Sequence, residues 1–125
     1  MHDFMNIAKA LSDPNRVRIL LALKDKELCV CQLIEFLGLA PSTVSKHMSI
    51  MKNARLVESR KEGLWKHYKL PSKASREIRK ALEWVCSSLS ESEEAKKDAA
   101  RMKKILEIDI ADICERQNSK SYSKK

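Results

Sequence analysis

Two short amphipathic segments separated by only three residues constrain this chain most. Apolar residues recur at positions 30, 33, 34 and 37, the spacing of one face of a helix. Gly38 is expected to cap this helix at its C-terminus, and Pro41 to open the next one. A tight, glycine-containing turn between two short helices is typical of a helix-turn-helix. The fold is therefore expected to be built around this pair.

The residues after the second helix change from a helical to an extended pattern. Leu56–Lys61 and Leu64–Leu70 flank Glu62-Gly63, which predicts a β-hairpin. Before the pair, Asp13-Pro14 is a strong helix start, with a capping carboxylate followed by proline at the first helical position. A hairpin directly after a helix-turn-helix predicts a winged helix-turn-helix.

Further helices are expected at both ends of this unit. The segment Met5–Leu11 has helical spacing, Pro71-Ser72 restarts a helix, and Ser90-x-x-Glu93 resembles a capping box that opens a last helix. The predicted fold class is mainly α with a small β-hairpin, with the N- and C-terminal helices forming a dimer interface. Residues 1–116 are expected to form one dimerising DNA-binding domain, and residues 117–125 a disordered basic tail.

Composition excludes several classes of protein. The 125 residues suit a single domain, and the longest apolar run, Ile19–Leu23, is far shorter than the ~20 residues of a membrane helix. No signal peptide is visible, so we expect a cytoplasmic protein with reduced thiols and no membrane partner. A thiol enzyme is not expected, because the chain lacks Cys-x-x-Cys and a glycine-rich anion loop. We therefore expect no catalytic cofactor.

The net charge of +8 is concentrated in one part of the chain. Residues 42–80 contain 11 Lys or Arg and three acids, so this block accounts for the whole excess. A basic block of this kind indicates a polyanionic partner, and beside a helix-turn-helix and a basic hairpin we expect that partner to be double-stranded DNA. The second helix of the pair presents small hydroxyls and cations that suit a groove. The candidate DNA-binding residues are Ser42, Thr43, Ser45, Lys46 and His47 on that helix, with Arg60, Lys61 and Lys66 on the hairpin.

Four motifs carry a family resemblance: ALSDPNRVRILLAL, ELCVCQL, STVSKHM and LVESRKEGLWKHYKL. In this order they resemble the arsenic-responsive repressors of the ArsR/SmtB family. The resemblance implies a homodimeric winged-helix repressor that leaves its operator when a toxic metal or metalloid binds. It also places the candidate DNA-binding residues on the recognition helix and the wing. Arg55 departs from the family pattern, which usually has glycine at this position.

Cys29 and Cys31 form a Cys-x-Cys at the start of the first helix of the pair. A helix N-terminus favours thiolates, and thiolates bind soft ions. On an ideal helix these side chains point ~200° apart, so both reach one ion only if the first turn unwinds. This geometry predicts a switch in which ion binding distorts the helix that supports the recognition helix. The family resemblance implies that the inducer is arsenite or antimonite.

The sequence leaves the third sulfur of such a site open. By the resemblance, a third cysteine often lies one turn along, but Ile34 occupies that position. Cys86 is one candidate, although packing is its more frequent role. Cys114 is the other and could approach from the partner chain, although cysteines near an exposed tail often have no function.

Three alternatives keep the same fold. Cys31 and Cys86 could pair in a persulfide- or redox-sensing repressor, or the site could sense cadmium or lead. The third is a constitutive nucleic-acid-binding protein with inert cysteines. His47 and His67 are expected to face DNA or lie in the wing rather than bind a metal.

Overall fold

The computed structural model describes residues 1–123, with side chains through Gln117. Seven helices and three short strands are described, and the chain has no cis peptide bond in this part. In chain order the elements are α1 (His2–Leu11), α2 (Pro14–Ala22), β1 (Leu28–Cys29), α3 (Val30–Leu37), α4 (Pro41–Asn53), β2 (Glu58–Glu62), β3 (Trp65–Lys69), α5 (Arg76–Leu89), α6 (Glu93–Leu106) and α7 (Ile110–Ser123).

The helix-turn-helix is confirmed as α3 and α4. Gly38 ends α3 with a φ of 67°, in the left-handed region that glycine occupies without steric cost. Pro41 occupies the first turn of α4. The inward face of α4 is buried as its spacing predicts, through Val44, Met48 and Met51. Burial of these three side chains fixes which face of α4 is left for a partner.

The sheet has three antiparallel strands in the order β1-β3-β2. The predicted hairpin is confirmed as β2 and β3, which pair from Glu58↔Lys69 to Glu62↔Trp65. The sequence analysis did not identify β1, because two residues are too few to show an alternating pattern. This short strand pairs Leu28 with Tyr68 and Cys29 with His67, so the wing is joined directly to the start of α3.

The prediction of a single last helix was wrong, because the chain bends between α6 and α7. Ser92, rather than Ser90, caps α6 by accepting a hydrogen bond from the Ala95 amide at 3.2 Å. Asp109 caps the next helix by accepting from the Ala111 amide at 3.0 Å. The Asp109 side chain thus accepts the hydrogen bond of a backbone amide that a carbonyl of the preceding turn would have accepted in a continuous helix.

The two C-terminal helices pack against their own chain. Met102 and Ile105 of α6 and Ile113 of α7 are buried in the core. Arg18 of α2 makes two hydrogen bonds to the Asp98 carboxylate of α6, at 2.8 and 3.1 Å. The sequence analysis expected the C-terminal helices to place their apolar residues in a dimer interface. That expectation was wrong for these three residues, because they are buried within one chain.

The predicted boundary of the domain at residue 116 also differs from the structure. Helix α7 continues to Ser123, and Gln117 makes a hydrogen bond to α3 that is described below. Residues 124 and 125 of the predicted tail lie outside the described residues. Between residues 1 and 123, no helix has both the length and the apolar composition needed to cross a bilayer.

Candidate functional site

Three cysteine sulfurs meet where α3 begins. The Sγ atoms of Cys29, Cys31 and Cys114 all lie within 4.8 Å of one another. Cys29 is fully buried, and the other two are half-buried. No other group of three or more His, Cys, Asp or Glu side chains in the described residues could hold a metal ion. Three converging sulfurs match the soft-ligand set that thiophilic ions prefer.

Cys29 and Cys31 converge because Cys29 lies outside the helix. Cys29 is the N-cap residue of α3, with the extended angles φ −72° and ψ 148°. Its amide donates to the Gln32 Oε1 atom at 2.9 Å, which holds the cap in place. The expectation that the turn must unwind to bring both sulfurs together was therefore wrong. The ~200° divergence applies only to two residues that are both helical.

Cys114 reaches this site from α7 of the same chain, whereas the sequence analysis had left open an approach from the partner chain. The preceding residue, Ile113, is fully buried and anchors α7 in the core. The Gln117 Nε2 atom donates to the Cys31 carbonyl oxygen at 2.8 Å, and Arg116 pairs with Glu35 at 3.1 Å. These contacts dock α7 along α3.

Cys31 and Cys114 are joined by a disulfide in the structure, with their Cα atoms 5.6 Å apart. Cys29 and Cys86 are free. The alternative pairing of Cys31 with Cys86 is therefore not the one found in this structure. Cys86 lies on α5, outside the group of three sulfurs, where it lines a shallow pocket with Lys24 and Leu82.

The predicted recognition face is exposed. Its four polar residues on the outer side of α4 are all solvent-accessible: Ser42, Thr43, Ser45 and Lys46. His47 is half-buried, and its Nδ1 atom lies 3.1 Å from the Nη1 atom of Arg16 on α2. The sequence analysis did not identify Arg16 as part of this surface, because the contact spans 31 positions.

The structure distinguishes the three predicted wing cations. Arg60 is engaged by two acids, Glu27 at 2.6 Å and Glu62 at 2.9 Å. The hydrogen bonds from Arg60 lower the pKa of the Glu27 carboxyl, although desolvation acts in the opposite direction. Lys61 and Lys66 are exposed and face each other across the hairpin. Opposed like charges repel, and an anion placed between them relieves that repulsion.

His67 lies on β3 of the wing, which is one of the two places that the sequence analysis gave for it, and its side chain is buried rather than exposed to DNA. Its Nε2 atom has no hydrogen-bond partner among the described residues and lies 3.8 Å from the Glu62 carboxylate. The residue is paired with Cys29 across β1 and β3. The pairing of His67 with Cys29 thus connects the wing to the cysteine site.

A helix-turn-helix followed by a basic hairpin defines a winged-helix DNA-binding regulator. The family profile described as "Bacterial regulatory protein, arsR family" matches residues 13–59. The chain belongs to this family of DNA-binding transcriptional regulators, which are not enzymes. As the resemblance implied, it is a transcriptional repressor of the ArsR/SmtB type.

Three curated relatives each cover two thirds of the chain or less. An uncharacterised HTH-type transcriptional regulator of Methanocaldococcus jannaschii is 38% identical over 78 residues, covering 62% of this chain and 88% of the relative. The arsenical resistance operon repressor of Escherichia coli is 34% identical, covering 66% and 73%. A cadmium resistance regulatory protein homologue of Staphylococcus aureus is 38% identical, covering 54% and 57%.

Solved structures show the same architecture. HlyU from Vibrio cholerae superposes with a TM-score of 0.62 at 29% identity, covering 72% of this chain and 95% of that one. A homodimeric winged helix-turn-helix DNA-binding domain from Mycobacterium bovis gives 0.60 at 26% identity, covering 72% and 81%. These matches confirm the winged-helix fold class that the sequence predicted.

Proposed function

We propose that this repressor senses arsenite or antimonite through the three sulfurs of Cys29, Cys31 and Cys114. The observation that carries the proposal is the convergence of these sulfurs within 4.8 Å in one chain. Trivalent arsenic takes three thiolates in a pyramid, so three cysteines satisfy it without a further ligand. The name of the Escherichia coli relative, an arsenical resistance operon repressor, agrees with this inducer.

The binding reaction balances with these residues alone. Arsenite at neutral pH is As(OH)₃, and three thiols displace its three hydroxyls as water to give three As–S bonds. Cys29 lies at the N-terminus of α3 and supplies the buried sulfur of the three. Cys31 and Cys114 must both be reduced, so the disulfide and the bound ion exclude each other.

The site lies where a small movement reaches both DNA-binding elements. Cys29 is paired with β3 of the wing and also caps α3, which leads through Gly38 to α4. Ligation fixes all three sulfurs around one ion and shifts this junction, so the ion binds the DNA-incompetent arrangement better. By linkage, DNA then weakens ion binding equally. A hundredfold loss of operator affinity needs only ~2.7 kcal/mol of coupling.

We also propose that the repressor binds its operator as a homodimer. Large apolar side chains of α1 and α5 are exposed in the single chain, with Phe4 at 68% and Trp84 at 65%. A second copy of the same surface would bury them. The DNA contacts are assigned to Ser42, Thr43, Ser45, Lys46 and His47 in the groove, and to Lys61 and Lys66 on phosphates. We expect Arg60 to contribute less to DNA binding than Lys61 and Lys66, because it already forms ion pairs with two acids.

Release of DNA by arsenite tests the sensor. A duplex selected from a random-sequence library is labelled for fluorescence anisotropy, and the protein is kept reduced with a phosphine, since dithiols bind arsenite. Cys29→Ser, Cys31→Ser and Cys114→Ser should bind DNA like the wild type and stay bound at arsenite concentrations that release it. Cys86→Ser is the matched control and should be released normally. If the Cys29→Ser/Cys31→Ser double variant is released normally, the sensor lies elsewhere.

A second candidate function is oxidant sensing, and the Cys31–Cys114 disulfide favours it. Two thiols reduce one hydrogen peroxide to two waters and form the disulfide. In this case peroxide alone changes operator affinity, and Cys114→Ser abolishes that response. A repressor that responds to arsenite in phosphine but keeps its DNA affinity in peroxide is a metalloid sensor only.

Titration of the protein–DNA complex with cadmium and lead, in place of arsenite, tests the alternative of a cadmium or lead sensor. The Staphylococcus aureus relative carries a cadmium resistance name, and a thiolate site binds either class of ion. A site with three sulfurs leaves a fourth position of a tetrahedral divalent ion unfilled. We therefore expect arsenite to release DNA at lower concentration than cadmium.

A further inference from the structure

We propose that buried Arg16 fixes the tautomer of His47, so that the recognition helix presents the His47 Nε2–H as a donor to an acceptor on a base edge. The inference rests on the DNA-binding role of α4 and names the chemistry by which one of its residues reads sequence.

The first step is the chemistry of the contact. An arginine guanidinium carries only donors and is always charged. The His47 Nδ1 atom, 3.1 Å from the Arg16 Nη1 atom, must therefore accept the hydrogen bond. An accepting Nδ1 places the proton of the neutral imidazole on Nε2. The tautomer is thus set by the protein before any DNA binds.

The second step is the rigidity of Arg16. Its side chain is buried, with 8% exposure, and each of its other two nitrogens also donates a hydrogen bond. The Nε atom donates to the Ala10 carbonyl and the Nη2 atom to the Lys9 carbonyl, both at 2.9 Å. These carbonyls end α1, where the helix dipole favours a cation. A guanidinium held on three sides is a preorganised support for a residue that recognises DNA.

The third step is the direction of the free nitrogen. His47 lies one helical turn after exposed Thr43, on the same side of α4. No hydrogen bond within the described residues engages Nε2. A donor at this place suits the purine N7 or O6 acceptors in the major groove. Arg16 is accordingly a positioning residue, and His47 determines specificity.

Nitrogen-15 NMR of the imidazole reads the tautomer directly in the free, reduced wild type. We expect the Nε2–H form at neutral pH. Arg16→Lys should give a mixture of tautomers, since a compact ammonium lacks the planar fork by which arginine reaches two carbonyls and the ring at once. A predominant Nδ1–H form in the wild type overturns the inference even if Arg16→Lys fails to fold.

Two matched variants of His47 test the reading of sequence. His47→Gln keeps a distal amide donor near the position of Nε2, whereas His47→Asn keeps only a proximal acceptor for Arg16. Selection from a random duplex library should show the same preferred base with His47→Gln. With His47→Asn, preference at that position should fall about fivefold, the equivalent of ~1 kcal/mol for one hydrogen bond. Retained preference in His47→Asn, or equal weakening on all sequences, overturns the inference. A wild type that selects no sequence refutes the DNA-binding role instead.

Discussion

Truncation of Ile113 to alanine tests whether docking of α7 controls the third sulfur. Ile113 is fully buried, directly precedes Cys114, and lies in the helix that packs along α3. Removing its buried methyl and methylene groups costs ~3 kcal/mol, within the range for Ile→Ala in a packed core. Because α7 is the last element, we expect the loss to fall on its docking. Every 1.4 kcal/mol is tenfold, so docking weakens about 150-fold.

Hydrogen exchange of the reduced protein measures this loss directly. Amides of α7 should lose protection by about 150-fold, while amides of α4 keep theirs. Arsenite binding should weaken by up to the same factor, because ligation by Cys114 requires the docked helix. Affinity of the free protein for DNA should be unchanged. Leu106→Ala, at a position that is 44% exposed, is the matched control and should alter protection less than fivefold.

Two results would refute this reasoning. If Ile113→Ala leaves the protection of α7 unchanged, the helix is not held by its apolar anchor. If α7 and α4 lose protection together, the C-terminal helix is not an independent unit, and a local role for Cys114 docking is excluded.

Other variants test the cap, the turn and the wing. Arg55 has a φ of 64°, so Arg55→Gly should stabilise the fold by about 0.5–1 kcal/mol in chemical denaturation; a loss of stability contradicts this. Asp13→Ala should cost ~1 kcal/mol at pH 7, because Asp13 caps α2. Burial alone would raise the pKa of Asp13, but hydrogen bonds from two backbone amides lower it below its ordinary 3.8. The cap therefore stabilises the fold above pH 3.8, and the difference between variant and wild type should vanish as pH falls through the lowered pKa. Lys61→Ala or Lys66→Ala should weaken binding to all DNA alike and reduce the salt slope by ~1 per lost phosphate contact, whereas altered sequence preference would reverse the assignment of roles.

Local signals predicted the DNA-binding half of the molecule. Gly38 and Pro41 mark the ends of adjacent helices through their own backbone preferences, and Gly63 marks the hairpin turn. These preferences depend on a few neighbouring residues, so a single sequence is enough to predict them. The family resemblance, rather than a local signal, identified Arg55 as a departure from glycine, and its φ of 64° places it in the left-handed region that glycine favours.

The cysteine site depends on contacts that no local pattern reveals. Gln117 reaches Cys31 across 86 positions, and Arg18 reaches Asp98 across 80. The bend between α6 and α7 places Cys114 beside Cys29 and Cys31 of the same chain. The extended backbone of Cys29 then decides that Cys-x-Cys converges without unwinding, because a two-residue strand pairs with the wing. Both outcomes follow from tertiary packing, which overrides helical periodicity.

X-ray absorption at the arsenic edge tests the central claim most directly, because it counts the atoms bound to the ion. The reduced wild type loaded with one equivalent of arsenite should show three sulfur neighbours and no oxygen. Cys114→Ser should show two sulfurs and one oxygen, while Cys86→Ser should retain three sulfurs. Two sulfurs in the wild type, or three sulfurs in Cys114→Ser, would contradict a site formed by Cys29, Cys31 and Cys114.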